Sequence, residues 1–362
     1  MNDLCGLPGD SLPTVNVFDG HNDTVLRLEL AARRGRARDI ARPHEPGDRM
    51  HFDLPRARAG GFAGGFFAMF TPSQIPASEE EEDCEAPGRF DPLDQRAALA
   101  FTTALFARMR QLARAHPRDL AIVDGAATAR TAIAEGRVAL LPHLEGAECI
   151  DTDLNALEVL HSAGLRSIGP VWSRTNAFGH GAPMGAEPEL RPRQGLTGAG
   201  RALVSACEAM GILIDCSHLT EQGFWDVAAL TDQPLVATHS NAHALSPSAR
   251  NLTDRQLDAV AERGGVVGLN FHVAFLRADC RHDPDTGLEV MLRHIDHLLE
   301  RLGEDGVAFG SDFDGCLLPS AIGDIAGLPA LIGAMRQAGY GEALVAKIAR
   351  ENWLGLIERV IR

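Results

Sequence analysis

A histidine and an aspartate separated by one residue follow the first apolar run of the sequence, and both side chains are of types that bind metal ions. The run covers 15–20, and His21 and Asp23 follow it. Because alternate residues of a β-strand project from the same face, the imidazole and the carboxylate are expected to point the same way. Both groups are common zinc ligands. The alternative is a turn in which Asp23 caps a helix that begins at Thr24.

Ligand-type residues also follow several later apolar runs. With the run that each one follows, they are Glu145 (137–144), His218 (211–217), His239 (234–238) and Asp312 (306–311). A single histidine at a strand end is more often a structural residue, and a single glutamate often begins a helix. The recurrence of these residue types at successive strand ends instead indicates one shared site.

Strand-like apolar runs alternate with helical patterns along the chain, and this alternation predicts the elements that position the site. The strand-like runs are the eight segments 15–23, 62–70, 137–144, 165–172, 211–217, 234–238, 264–271 and 306–311. The longer helical patterns are 24–35, 91–116, 153–163, 198–210, 220–231, 253–262, 288–302, 326–338 and 342–360. Strands separated by such helices are typical of βαβ units and a parallel sheet. We therefore predict an α/β fold of the (β/α)8 TIM-barrel type, in which the carboxyl ends of the strands meet at one mouth.

The length of 362 residues would allow two domains, but α/β barrels of this size form one. No internal repeat and no linker is recognisable. A single domain over 1–362 is therefore predicted, with its core at about 15–360 and helices at its C-terminal end.

Composition and charge exclude several classes of protein. The formal net charge is −15, whereas a nucleic-acid-binding protein needs a basic surface for its phosphate contacts. No apolar stretch reaches about 18 residues, so no transmembrane helix is expected. The first residues have neither a basic start nor an apolar run, so no signal peptide is predicted. The acidic run at 79–85 is interpreted as a solvent-exposed loop.

The cysteines point to a reducing compartment. They are the seven residues Cys5, Cys84, Cys149, Cys207, Cys216, Cys280 and Cys316. An odd number of cysteines without a CxxC pair is more typical of reduced thiols than of a disulfide framework. A cytoplasmic location is therefore expected.

The candidate ligands indicate a centre with two metal ions. They are His21, Asp23, Glu145, His218 and His239. Imidazole nitrogen and carboxylate oxygen suit zinc, although manganese and iron accept the same ligands. A strand-end carboxylate such as Glu145 can bridge two ions, and ions about 3.5–4 Å apart can share a hydroxide and polarise a carbonyl. Asp312 would then transfer a proton to a leaving amine.

Six segments resemble, in order and spacing, those of the renal (membrane) dipeptidase family, a branch of the metal-dependent amidohydrolase-like barrels. The segments are 19–23, 145–146, 215–218, 238–241, 249–251 and 310–315. The resemblance extends from about 15 to 359 and implies a binuclear zinc dipeptidase. It also implies a homodimer, and a chain similar to the soluble bacterial members rather than to the anchored mammalian ones.

The resemblance further implies a role for each candidate residue. The metal ligands divide into His21 and Asp23 for one zinc ion, His218 and His239 for the other, and Glu145 for both. Asp312 would be the acid/base on the last strand. Arg250 would hold the C-terminal carboxylate of the substrate, because a guanidinium grips a carboxylate through two parallel hydrogen bonds. The sequence leaves a surface arginine open as the alternative for Arg250.

One position departs from the family pattern. Several members have a histidine after the fourth strand that contacts the substrate or stabilises the tetrahedral intermediate, whereas this chain has Trp172 there. An indole donates one hydrogen bond and cannot become cationic near neutral pH. Arg174 and His180, in the same loop, are candidates to supply the missing charge. Trp172 is therefore predicted to bind substrate and to affect the substrate range more than the metal site.

Three functions remain open from the sequence. The first is hydrolysis of L-Xaa-L-Xaa or L-Xaa-D-Xaa dipeptides by a metal-bridging hydroxide. The second is hydrolysis of an N-acyl amino acid, or of another amide or lactam, at the same metal site. The third is a barrel that no longer catalyses and serves as a binding or assembly protein, which the presence of all candidate ligands and Asp312 disfavours.

Overall fold

Parallel β-strands alternating with α-helices form the fold of this chain, as a computed structural model shows. The residues that the structure describes are 15–43, 49–75, 88–184 and 194–362. The predictions made for the N-terminal residues, for the acidic run at 79–85 and for Cys5 and Cys84 lie outside these residues. The predicted α/β class is confirmed.

The strands and helices have the following bounds. The strands are β1 (Val17–Asn22), β2 (Phe62–Phe70), β3 (Leu120–Ile122), β4 (Val138–Glu145), β5 (Ser167–Gly169), β6 (Leu213–Ile214), β7 (Val236–Ala237), β8 (Val266–Leu269) and β9 (Val307–Phe309). The helices are α1 (Thr24–Arg33), α2 (Leu54–Gly60), α3 (Gln95–Ala115), α4 (Ala126–Ala134), α5 (Asn155–Ser162), α6 (Gly198–Met210), α7 (Glu221–Leu230), α8 (Asp254–Glu262), α9 (Val273–Leu276), α10 (Leu288–Leu302), α11 (Leu328–Gln337), α12 (Glu342–Ala346) and α13 (Asn352–Val360). A π-helical turn over Lys347–Glu351 joins α12 to α13, where the sequence predicts one continuous helix.

The described strands form two parallel sheets that meet at two junctions. One sheet has the order β1-β2-β4-β5-β6, and the other has the order β7-β8-β9. A single bridge between Asp215 and Val236 joins β6 to β7, and another between Asn22 and Phe313 joins β1 to the segment after β9. This circular order is compatible with the predicted closed barrel, with a single bridge in place of a ladder at each junction.

The short strand β3 is an addition that the sequence pattern does not predict. It pairs with the first half of β4, from Leu120 opposite Val138 to Ile122 opposite Leu140. The neighbouring strand β5 reaches only the second half of β4, starting at His143. Strand β3 therefore covers an edge that β5 leaves unpaired. Its three residues are too few to show an apolar period.

The space between the two sheets is packed with side chains beneath the strand ends. Phe18 of β1 and Phe66 of β2 are fully buried and lie in one apolar cluster with residues of β4, β6, β7, β8 and β9. Trp353 of α13 belongs to the same cluster, and its indole N–H donates a 2.7 Å hydrogen bond to the carbonyl of Phe309. Because the interior is filled, the strand ends are held at fixed positions.

Two further expectations concern thiols and membranes. The cysteines within the described ranges are free: Cys149, Cys207, Cys216, Cys280 and Cys316. Among the described helices, none has both the length and the apolar character that crossing a lipid bilayer requires.

Candidate metal centre and substrate pocket

His21 and Asp23 lie together at the carboxyl end of β1. Asp23 precedes α1, but its carboxylate makes no capping hydrogen bond, so the helix-cap alternative is wrong. Its Oδ2 lies 3.4 Å from His21 Nε2. Its Oδ1 is buried and has no hydrogen-bond partner in the part of the chain that the structure describes. A buried carboxylate oxygen left in this way needs a donor or a cation to offset its desolvation.

Glu145, at the end of β4, lies at the centre of the cluster. Its Oε1 is 2.9 Å from His218 Nε2, 3.5 Å from His239 Nε2 and 3.7 Å from His21 Nε2. The Nε2 atoms of His218 and His239 are 3.0 Å apart. One carboxylate oxygen therefore faces three imidazole nitrogens.

Asp312 lies in the turn after β9, beside His21 and Asp23. Ligand atoms of Asp312, His21 and Asp23 all lie within 4.8 Å of one another. Burial raises the pKa of Asp312 to about 6. The backbone of Asp312 has the left-handed φ of 60°, an uncommon conformation that is concentrated at functional sites.

Asp314, two residues further on, has a structural role. It also has a left-handed φ, of 66°. Its carboxylate accepts hydrogen bonds from the Thr24 hydroxyl at 2.7 Å and from the His51 N–H at 2.6 Å. Asp314 thereby ties the turn that carries Asp312 to the start of α1.

Burial and neighbouring charges set the protonation of the imidazoles. Burial holds the pKa of His218 and of His239 well below the usual range. Both side chains are therefore neutral near pH 7 and keep a lone pair for a metal ion. Burial acts in the same direction on His21, but the carboxylates of Glu145 and Asp23 outweigh it and raise the pKa of His21 to about 10. The carboxylates thus favour a positive charge at this position.

The donor set fits a metal centre. It offers imidazole nitrogens and carboxylate oxygens that are buried and close together, and ligand atoms of His21, Glu145 and His239 form a second group within 4.8 Å. Nitrogen and oxygen donors of this kind suit zinc, and the unpartnered oxygen of Asp23 gives a specific place where a cation is needed. The two groups contain four of the five predicted ligands together with Asp312, and His218 lies beside them with its Nε2 2.9 Å from Glu145 Oε1.

Arg250 is buried beside the imidazoles, so the surface-arginine alternative is wrong. It lies in the loop after β7 and is 2% exposed. Its Nη2 is 3.3 Å from His218 Nε2 and 3.3 Å from the carbonyl of His239. Its Nε and Nη1 have no hydrogen-bond partner among the described residues. A buried guanidinium with two nitrogen donors that lack a partner among the described residues can bind an anion.

Trp172 forms an aromatic wall next to the candidate ligands. Its ring centroid is 4.9 Å from that of Phe70 and 5.4 Å from that of Phe90, on which it stacks at 14°. The ring of His218 is 6.0 Å away. A cavity of about 170 Å³ lies between this wall and the cluster, and its lining includes Leu26, Phe70, Glu145, Trp172, His218 and Asp312.

The two candidates for replacing the missing histidine are engaged in other contacts. Arg174 is buried, and its Nε lies 2.8 Å from the Glu148 carboxylate, so its charge is balanced there. It also donates to the carbonyl of Thr71 at 2.6 Å. His180 Nδ1 lies 3.1 Å from the carbonyl of Gly195. The side of the cavity at Trp172 combines aromatic rings with a cation, because the Arg89 guanidinium lies 5.4 Å from the Trp172 ring centroid and also lines the cavity.

Other residues of the site carry no signal in the sequence analysis. Asn270, at the end of β8, donates a 3.0 Å hydrogen bond to Asp312 Oδ2. No site residue is predicted for the strand 264–271, yet its end supplies this contact. Ser173 Oγ lies 3.0 Å from His218 Nδ1, and so the other ring nitrogen of His218 faces Glu145. Position at a strand end could have indicated Asn270, but an amide is a weak ligand signal.

Comparison with known proteins gives a consistent family assignment. The model of the membrane dipeptidase family, peptidase family M19, matches residues 11–362. The crystal structure of a dipeptidase described as an M19 metallopeptidase is 48% identical, with a TM-score of 0.87, and covers 96% of this chain and 99% of that one. A Klebsiella pneumoniae protein known by its position in the 5′ region of pqqA is 49% identical over 225 residues, which are 62% of this chain and 82% of that protein.

A further solved structure is that of a metallopeptidase from Rhodobacter sphaeroides. It is 47% identical to this chain with a TM-score of 0.87, and the match covers 96% of this chain and all of the other. That protein is liganded with a phosphinate mimic of the dipeptide L-Ala-D-Ala. The family model spans nearly the whole chain, and both similar structures are metallopeptidases. The chain therefore belongs to the membrane dipeptidase family, peptidase family M19, and is a metallohydrolase.

Proposed function

We propose that this chain is a zinc dipeptidase with two metal ions per molecule. The observation that carries the proposal is the buried Arg250, whose Nε and Nη1 have no partner in the described part of the chain while its Nη2 is 3.3 Å from His218. This geometry places an anion-binding group at a fixed short distance from the candidate ligands. A free carboxylate close to the scissile bond is what distinguishes a dipeptide from the interior of a longer peptide.

We infer that the ligands divide between two ions as the family resemblance implies. His21 and Asp23 would hold one ion, and His218 and His239 would hold the other. Glu145, whose Oε1 faces all three imidazoles, would contact both. When bound, the ions supply an activated water and polarise the scissile carbonyl.

The remaining steps belong to side chains of the chain itself. The guanidinium of Arg250 binds the C-terminal carboxylate and so fixes the peptide bond relative to the ligands. Asp312 receives a proton from the attacking water and passes it to the leaving amine. Asn270 donates to Oδ2 of Asp312 and thereby orients the carboxylate.

The substrate class is argued from the pocket and from the relatives. The Rhodobacter sphaeroides relative binds a phosphinate mimic of L-Ala-D-Ala, so we extend to this chain a D residue at the C-terminal position. L-Xaa-L-Xaa dipeptides are also expected substrates, because the Arg250 guanidinium binds the C-terminal carboxylate and not the side chain. The aromatic wall of Trp172 and Phe70 favours an apolar side chain on the first residue.

Metal content and a substrate panel test the proposed function together. Protein prepared without chelators should contain close to two zinc equivalents per chain and hydrolyse L-Xaa-D-Xaa or L-Xaa-L-Xaa dipeptides. A chelator should abolish the hydrolysis, and added zinc should restore it. A zinc content near zero in folded protein, with no activity gained on adding zinc, would overturn the proposal.

Hydrolysis of N-acyl amino acids is the second candidate function, and the aromatic wall is the observation that favours it. An acyl chain could pack on Trp172 as well as an apolar side chain does, and an N-acyl amino acid presents the same carboxylate to Arg250. The two functions differ in the free amine of a dipeptide. Faster turnover of an N-acyl amino acid than of the dipeptide with a similar side chain would favour the second function.

Replacing Trp172 with histidine is expected to reduce the preference for an apolar first residue. A polar ring in place of the indole removes apolar contact from the wall that Phe70 and Phe90 share. A change of this size in an apolar pocket is worth about 1–3 kcal/mol. The ratio of kcat/KM for Leu-D-Ala to that for Gly-D-Ala should therefore fall about tenfold or more. Trp172→Phe, which keeps an aromatic wall, is the matched control and should stay near the wild-type ratio.

A further inference from the structure

The two junctions between the sheets share a hydrogen-bond pattern. Where β1 meets the segment after β9, Asp19 Oδ1 accepts the N–H of Ser311 at 2.7 Å and Oδ2 accepts its hydroxyl at 2.7 Å. Where β6 meets β7, Asp215 Oδ1 accepts the N–H of Thr238 at 2.8 Å and Oδ2 accepts its hydroxyl at 2.6 Å. In both cases a buried carboxylate accepts two hydrogen bonds from one residue of the facing segment, one from its backbone N–H and one from its hydroxyl.

These contacts lie where the backbone pairing is weakest and next to the site. Each described junction has a single bridge in place of a ladder, with backbone hydrogen bonds such as that from the Asp312 N–H to the carbonyl of His21 at 3.0 Å, and the aspartate adds two side-chain contacts. The residue that donates these hydrogen bonds directly precedes a site residue: Ser311 precedes Asp312, and Thr238 precedes His239. Asp19 and Asp215 are 1% and 3% exposed, so solvent does not compete for these hydrogen bonds.

At the β6–β7 junction the pattern also decides the tautomer of a candidate ligand. Thr238 has one hydroxyl hydrogen, and it is directed to Asp215 Oδ2. His239 Nδ1 lies 2.8 Å from the same hydroxyl oxygen, so the imidazole must be the donor in this contact. The proton of His239 is thus on Nδ1. The lone pair is left on Nε2, which faces Glu145 Oε1 at 3.5 Å.

We propose that Asp215, acting through the Thr238 hydroxyl, is a positioning residue that keeps His239 in the tautomer able to bind metal. The inference rests on the proposed two-metal site. Partners of this kind, which orient a ligand without touching the metal, are worth about 10–100-fold in metal affinity.

Asparagine at 215 should reverse the direction of these hydrogen bonds. Its amide oxygen can still accept the N–H of Thr238, but its NH2 group would face the Thr238 hydroxyl as a donor. The hydroxyl would then accept from the amide and donate to His239 Nδ1. That arrangement puts the imidazole proton on Nε2, the nitrogen that must be unprotonated to bind metal.

Tautomer and metal affinity are the two readouts. In protein from which zinc has been removed, ¹⁵N shifts of His239 should report Nδ1–H in the wild type and Nε2–H in Asp215→Asn. In chelator competition, Asp215→Asn should weaken one of the two zinc equivalents by about 10–100-fold and the other by less than about threefold. Thr238→Val, which removes the hydroxyl without offering a donor to His239, should lose less affinity than Asp215→Asn.

Asp226→Asn is the matched control for the loss of a buried carboxylate. Asp226 accepts the N–H of Leu196 at 2.8 Å and pairs with Arg201, and neither partner belongs to the site. The control should leave both zinc affinities and the His239 tautomer unchanged. If Asp215→Asn does not fold, Thr238→Ser and Thr238→Val replace it, and only the serine variant should keep His239 as Nδ1–H.

Distinct outcomes overturn the inference and the proposed function. Two zinc equivalents in the wild type, with unchanged affinity and tautomer in Asp215→Asn, would overturn the role of Asp215 alone. Equal weakening of both equivalents, in parallel with a lower Tm, would show that Asp215 only stabilises the junction. A wild-type protein that binds no zinc would overturn the proposed function, while the ¹⁵N shifts would still test the contact between Thr238 and His239.

Discussion

Replacing Asp312 with asparagine is expected to lower kcat for dipeptide hydrolysis by about 10²–10⁴-fold, the usual contribution of a general acid–base group. The amide has nearly the shape of the carboxyl group but cannot receive and release the proton. Asparagine also tolerates the left-handed backbone that Asp312 adopts, with φ of 60°, so the turn after β9 should survive. The amide oxygen can still accept the hydrogen bond from Asn270. The measurement is kcat together with the zinc content of the same preparation.

Asp314→Asn is the matched control for Asp312→Asn. It lies in the same turn with φ of 66°, is equally well matched to asparagine, and binds Thr24 and His51. The Asp314→Asn substitution should act mainly on stability: the Tm should fall, whereas kcat should change little. Retention of near wild-type kcat in Asp312→Asn would show that Asp312 has no role in proton transfer. Loss of a zinc equivalent would instead identify Asp312 as a metal ligand. Its ligand atom lies within 4.8 Å of those of His21 and Asp23, so the zinc content distinguishes the two roles.

The convergence of the candidate ligands could be predicted from the sequence because it depends on local pattern and on one general property of barrels. An apolar run followed by His21 and Asp23, or by Glu145, is visible within a few residues, and parallel strands bring such ends to one mouth. The same reasoning found His218 and His239. The distances of 2.9–3.7 Å around Glu145 Oε1 then follow from the circular order of the strands rather than from any single segment.

The supporting contacts could not be predicted, because they join residues whose sequence separation has no pattern. Asp19 and Ser311 are 292 residues apart, and Asn270 and Asp312 are 42 apart. Nothing local distinguishes Asp19 from any other aspartate in a strand. The sequence likewise does not show whether Arg250 is buried or on the surface, since a loop has no period that would indicate burial.

The strand lengths differ from the predicted runs for a related reason. The run 211–217 predicts a strand of that length, but only Leu213–Ile214 pairs as β6. Beyond it, Asp215 Oδ1 accepts the hydroxyl of Ser217 at 2.6 Å and the N–H of Thr238, and single backbone hydrogen bonds from the N–H groups of Asp215 and Cys216 take the place of a continuous ladder. Apolar character continues past the point where the backbone leaves the sheet, and the pattern alone does not show where pairing stops.

Replacing Arg250 with methionine is expected to raise KM for dipeptides by about 10–100-fold. A charge-assisted hydrogen-bonded pair contributes roughly 1.5–3 kcal/mol, and each 1.4 kcal/mol is about a factor of ten in binding. Methionine keeps an unbranched chain of similar reach in a position that is 2% exposed, next to the ring of Phe275. The effect should therefore come from the lost guanidinium more than from a cavity. KM and kcat measured for a dipeptide and for its C-terminal amide separate the two causes.

Comparing a dipeptide with its C-terminal amide tests the role of Arg250 directly, because it removes the carboxylate charge from the substrate and leaves the enzyme unchanged. If Arg250 binds the carboxylate, the wild type should prefer the dipeptide over its amide, and Arg250→Met should lose most of that preference while a general packing defect would slow both substrates alike. Arg255→Met is the matched control, since Arg255 is an exposed arginine that lies 4.5 Å over the ring of Trp225 and not against the ligands. Equal cleavage of dipeptide and amide by the wild type would remove the carboxylate clamp and favour a broader amidase.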